Sequence, residues 1–153
     1  VEVYLVQHAE AKPETEDTQR PLSERGRAEA IRVASHAAKV GVRVSKIVHS
    51  GKLRARQTAE IFGQYLNPPK GVEEVKGLAP LDQPQEAREM IEGASEPLMV
   101  VGHLPHLSRL ASLLVIGEPE TGLINFRMAG IVCLTKTEEG GWRIRWILNP
   151  DIV

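Results

Sequence analysis

At 153 residues the chain has the size of one domain, 1–153, long enough to bury a self-sufficient core. Hydrophobic residues make up 42% and charged residues 25%. The 19 Lys and Arg nearly cancel the 20 Asp and Glu, which argues against a general nucleic-acid binder with its basic excess. The single cysteine, Cys133, excludes an internal disulfide framework and a cysteine-rich zinc site, and points to a reducing, cytoplasmic setting. No apolar run reaches the roughly 20 residues that span a bilayer. Val1-Glu2-Val3-Tyr4 has no basic stretch ahead of an apolar one. Neither a membrane span nor a signal peptide is therefore expected.

Val1 to Val6 is β-branched and apolar and reads as a buried first strand. Ala11 to Gln19 is polar, contains Pro13 and reads as a loop. Pro21-Leu22-Ser23-Glu24-Arg25-Gly26 leads into a helix of about 16 residues, with Ser23 as N-cap and Gly41 as its stop. Ser45 to His49 is a short central strand. Leu53 to Leu66 is a second helix, stopped by Asn67-Pro68-Pro69. A strand at Val72 to Val75 and a helix at Gln83 to Glu92 follow. Pro97 to Val101 is a buried strand ended by Gly102, and Leu107 to Ile116 is a helix closed by Gly117. Two strands finish the chain, Ile131 to Thr137 and Trp142 to Leu148, with Glu139-Gly140-Gly141 as the turn between them. Strands alternating with helices predict a three-layer α/β/α sandwich. The closing antiparallel hairpin makes the mostly parallel sheet mixed.

Ligands of open α/β sheets bind beyond the carboxyl ends of the strands. The first strand ends in Gln7-His8-Ala9-Glu10. The second ends in His49-Ser50-Gly51, followed by Lys52, Arg54 and Arg56. The fourth ends in Gly102-His103-Leu104-Pro105-His106. Two histidines and several cations thus meet on one rim, beside a helix N-terminus that favours anions. The constellation reads as a phosphate pocket containing imidazoles.

At these positions the sequence resembles the histidine phosphatase superfamily, the group that includes phosphoglycerate mutases and acid phosphatases. Gln7-His8-Ala9 matches its opening Arg-His-Gly. Ser50-Gly51-Lys52-Leu53-Arg54-Ala55-Arg56-Gln57-Thr58-Ala59 matches its Ser-Pro-x-x-Arg-Ala-x-Gln-Thr-Ala. Val100-Val101-Gly102-His103 matches its third motif, and Leu22-Ser23-Glu24-Arg25-Gly26 its Leu-Thr-x-x-Gly helix entry. Length and His103-Leu104-Pro105 bring it nearest to the short SixA-like phosphohistidine phosphatases. Gln7 in place of arginine, Ala9 in place of glycine and Gly51 in place of proline are the departures.

The resemblance implies that His8 is the nucleophile, forming a phosphohistidine. It implies that His103 donates to the phosphoryl oxygens and that Arg54 clamps them. Arg20 is a further phosphate-binding candidate, and Gln7 offers one uncharged amide donor. Larger relatives place a carboxylate proton donor between the second and third motifs. Among Glu73, Glu74, Asp82 and Glu86, Asp82 in its Pro-flanked loop is the candidate here. Arg56 points away on the helix, His36 lies on a helix surface, and His49 is a further pocket candidate. His103 and His106 have a spacing that suits a metal, but no Cys or Asp cluster completes a site. Neither a metal nor another cofactor is expected.

Three functions follow as expectations. The first is a metal-independent phosphohydrolase acting through His8, on phosphohistidine in a protein. The second is a low-activity or inactive homologue that binds a phosphorylated partner, because losing a charged donor at position 7 costs about 2–4 kcal/mol of transition-state stabilisation. The third is a phosphomonoesterase for a small phosphorylated substrate. Nucleic acid and membrane are not expected as partners. There is no Gly-x-Ser-x-Gly elbow, no P-loop lysine and no Arg six residues after Cys133, so other phosphate and acyl-transfer chemistries lack their signatures.

Overall fold

In the computed structural model, which describes residues 1–153, ten regular elements follow in order. They are β1 (Glu2–Gln7), α1 (Glu24–Lys39), β2 (Lys46–His49), α2 (Leu53–Leu66), β3 (Val72–Glu74), α3 (Pro84–Glu92), β4 (Leu98–Gly102), α4 (His106–Val115), β5 (Ile131–Lys136) and β6 (Trp142–Leu148). A short 3₁₀ turn, Pro150–Ile152, closes the chain. The strands form one sheet in the order β3-β2-β4-β1-β5-β6. β1, β2, β3 and β4 run parallel, while β5 is antiparallel to both β1 and β6. The expected mixed sandwich is what forms.

The apolar runs of β1 and β4 are continuous because both sheet faces are covered. Tyr4, Val6, Met99 and Val101 pack with Ala30, Ala34, Ala37, Ala59 and Phe62 of α1 and α2 on one face. Val3, Leu5 and Val100 pack with Ile91, Leu107 and Leu110 of α3 and α4 on the other. Strand alternation sends successive side chains into opposite cores. No helix is long and apolar enough to cross a membrane.

The start of α1 is fixed by contacts to the segment that leaves β1. Ser23 caps it, its Oγ accepting the Gly26 amide at 3.0 Å and donating to the Glu10 carboxylate at 2.7 Å. At Gly26 a Cβ would stand 2.0 Å from the Glu10 carbonyl oxygen, so only glycine lets the helix come this close. The helix-entry motif is therefore a packing device that pins the chain just beyond His8.

Differences from the sequence expectation are confined to ends. β1 is shifted one residue towards Gln7, and α4 begins at His106 and ends at Val115, one residue earlier at each end. β3 has only three residues, on the sheet edge.

Candidate active site

The parallel strands β1, β2 and β4 end on one rim, and the backbone carries their pairing past the last strand residue. The His8 amide donates to the Gly102 carbonyl at 3.0 Å. His8 and His103 thus face each other from neighbouring strands, with ring centroids 5.1 Å apart and planes tilted by 54°. Both rings are buried.

The hydrogen bonding of His8 fixes its tautomer. Its Nδ1 lies 2.7 Å from the Ala9 carbonyl oxygen, an acceptor only, so Nδ1 carries the proton. Nε2 is left with a free lone pair. The Ala9 amide donates to Thr58 Oγ1 at 3.0 Å, and the Thr58 hydroxyl donates to the Arg54 carbonyl at 2.8 Å. The loop after His8 is thereby tied to the first turn of α2, which carries Arg54. Gln57 adds a second tie, its Oε1 accepting the Leu22 amide at 2.8 Å. The polar residues of the second motif are accordingly braces around one arginine.

Arg54 is half-buried, and its Nε has no protein partner. Arg20, on the loop before α1, has a left-handed φ of 50° and donates through Nε to the Lys12 carbonyl at 3.1 Å. Neither arginine, nor Lys52, takes part in an ion pair. Burial and then the charge of Arg20 lower the pKa of Arg54, so the two cations lie close enough to feel each other. Gln7, at the end of β1, makes no side-chain hydrogen bond; its carbonyl accepts the Ala129 amide at 2.9 Å. The arrangement is built for an anion.

Burial pushes the His8 imidazole down to about 4, against the pull of the Ala9 bond and with Arg54 and Arg20 adding to the shift. Burial, then His8, Arg54 and Lys52, push His103 down to about 3. Both rings are neutral at pH 7. In the unfolded chain both titrate near 6.5. Between about pH 6.5 and 4 the unfolded chain binds protons that the folded one refuses, so stability is present above that window and lost as pH falls through it. The loss approaches about 1.4 kcal/mol per pH unit for each histidine. Urea midpoints measured from pH 7.5 to 5.5 are expected to fall steadily; a flat profile would show that the rings accept protons inside the fold.

Asp82 stands on the cavity wall that includes Ser50. Its Oδ2 accepts the Ala79 amide at 2.9 Å, and the imidazole its charge supports is that of His106. It lines a cavity of about 540 Å³ with Ser50, Glu74, Lys76 and Glu86, and Ser50 is the residue bonded to His103. Glu74 reaches the turn at Gly51, where a Cβ would lie 2.5 Å from its carboxyl carbon. Gly51 has a φ of +91°, which proline cannot adopt, so its departure from the family pattern makes a different turn at this rim. His49 is buried, its Nδ1 accepting the Gly51 amide at 3.0 Å, and it braces that turn. His106 is buried in the first turn of α4. No three His, Cys, Asp or Glu side chains converge as metal ligands.

Comparison with known proteins finds relatives of this sequence and fold. The profile of the histidine phosphatase superfamily (branch 1) matches residues 3–82. The phosphohistidine phosphatase SixA of Escherichia coli K12 is 26% identical over 155 residues, covering 98% of this chain and 94% of its own. An uncharacterised protein of Picosynechococcus is 34% identical over 142 residues, covering 88% and 84%. Among solved structures, the protein histidine phosphatase SixA complexed with tungstate superposes with a TM-score of 0.86 at 26% identity, covering 99% of this chain and 98% of that one.

Proposed function

Because the chain belongs to the histidine phosphatase superfamily and is a phosphatase of the histidine type, we propose that it removes phosphate from phosphohistidine in a protein. The observation that carries the reading is the free Nε2 lone pair of His8, held beside His103 and two unpaired arginines. The phosphoryl group seats against Arg54 and Arg20, with the Gln7 amide as an uncharged third donor. Nε2 of His8 attacks phosphorus while the P–N bond to the substrate imidazole breaks. His103 donates to a phosphoryl oxygen as charge shifts. Water then attacks phospho-His8, releasing inorganic phosphate and restoring the imidazole.

The leaving group favours an imidazole over a sugar alkoxide. A leaving imidazole is far less basic than an alkoxide and needs less help from an acid. The proton it takes up comes from water, and Asp82, on the cavity wall beside Ser50, is the candidate to relay it. The similarity to SixA supports a phosphorylated protein as the partner. The single buried thiol, Cys133, suits a reducing cytoplasm.

The test compares a phosphohistidine peptide with p-nitrophenyl phosphate, following phosphate release with and without EDTA. The peptide is expected to be turned over at least about tenfold more efficiently. EDTA should have no effect, and vanadate or tungstate should inhibit, since both resemble the five-coordinate phosphoryl state. Loss on chelation, restored by a divalent metal, would replace this reading with a metal-dependent one. Gln7 favours a second reading, in which the pocket binds a phosphorylated partner without turning it over. Tight peptide binding with no phosphate release would establish it.

A further inference from the structure

His8 owes its tautomer to a backbone carbonyl, but His103 has no such partner. The only hydrogen bond of its ring joins Nε2 to Ser50 Oγ, at 2.6 Å. Its Nδ1 is buried and unpartnered, on a ring that is 1% exposed. Ser50 is itself held in place. It follows the last residue of β2, and its Oγ accepts the Lys52 amide at 3.3 Å across the turn at Gly51.

A hydroxyl has one proton and two lone pairs, and a neutral imidazole has one N–H and one lone pair. The bond can therefore be made in two ways. If Nε2–H donates to the serine, Nδ1 is a bare lone pair, buried beside a site that receives phosphoryl oxygens. Lone pairs would then oppose lone pairs, and His103 would have nothing to donate. If the serine hydroxyl donates to Nε2, the proton sits on Nδ1. A buried N–H without a protein partner is costly until an acceptor arrives. With one lone pair of Ser50 taken by the Lys52 amide, its proton is free to point at the ring.

We propose that Ser50 is a positioning residue that sets the tautomer of His103, its hydroxyl donating to Nε2 so that Nδ1–H is presented to the phosphoryl group carried by His8. The inference rests on the phosphoryl-transfer reading of this site. The two facing rings then hold opposite tautomers. His8 offers a lone pair to phosphorus and His103 offers a proton to oxygen, each fixed by a single hydrogen bond.

The decisive measurement is the ring-nitrogen NMR spectrum of ¹⁵N-labelled protein at pH 7.5, together with steady-state kinetics on a phosphohistidine peptide. Wild-type His103 is expected to carry its proton on Nδ1. Ser50→Ala should shift the proton to Nε2 in part or whole and lower kcat about tenfold, with KM within about twofold, since the lost donor acts mainly in the transition state. Ser50→Thr, which keeps the hydroxyl, should restore both the tautomer and most of kcat. A wild-type His103 protonated on Nε2 would overturn the proposal, as would Ser50→Ala with an unchanged spectrum or an unchanged kcat. Should the wild type hydrolyse neither phosphohistidine nor a phosphomonoester, the functional reading fails, while the spectrum still decides the tautomer.

Discussion

His8→Ala is expected to abolish turnover and leave the fold intact. The loss in kcat should exceed about 10³-fold, because no other group in the site can form the covalent intermediate. His103 cannot replace it: its Nε2 is occupied by Ser50. The cations that remain, Arg54 and Arg20, keep the phosphoryl group bound, so KM should change little. The fold should survive because His8 lies past the last core residue of β1, and its backbone amide still bonds Gly102 in the alanine variant. Removing a buried ring whose protonation is resisted should also make the variant less sensitive to acid than the wild type. Steady-state kinetics and a thermal melt test the first two points. Rapid quench with ³²P-labelled substrate tests the third element of the mechanism, the intermediate: acid-labile label should appear on the wild-type protein and not on the variant. If His8→Ala keeps more than a few per cent of activity, the nucleophile lies elsewhere.

What the sequence made legible was the rim, and the reason is local. β1, β2 and β4 are short apolar runs that each stop at a histidine or at the residue before one, and strand ends in an open sheet share one edge. Ser23 announced α1 because capping is a local interaction, and Gly26 answered a contact sixteen residues back that only the fold reveals. The braces were not legible. Thr58 reaches Ala9 across 49 residues, and Ser50 reaches His103 across 53. No periodicity encodes such pairs; the motif spacing marked the positions without saying what each side chain holds. Asp82 illustrates the converse. Its loop and charge marked it as a proton-donor candidate, and the Ala79 amide, three residues away, bonds one of its two carboxylate oxygens in a local turn.

Gln7→Arg is expected to raise kcat/KM on a phosphohistidine substrate about tenfold, and as much as a hundredfold if both new bonds form. Each charge-assisted hydrogen bond contributes about 1.5–3 kcal/mol, and the part realised only as charge shifts to the phosphoryl oxygens appears in kcat. The position is open to the change. Gln7 is half-buried at the end of β1, continues the face of Val3 and Leu5, and ties up no side-chain hydrogen bond that the arginine would forfeit. Its backbone pairing to Gly102 and Ala129 is independent of the side chain. Opposing the gain is repulsion, since Arg54 already feels the charge of Arg20. That repulsion falls on the empty enzyme. A bound phosphoryl dianion cancels it, so the substitution should lower stability slightly in the absence of anion and strengthen the stabilisation that phosphate or tungstate provides. The two effects separate the outcomes. A rise in kcat/KM together with a larger anion-induced shift in Tm means that position 7 was short of one positive charge. A kcat/KM that is unchanged or lower, in a variant shown by circular dichroism to be folded, means that Arg20 already fills the place of the missing charge or that the pocket serves binding alone.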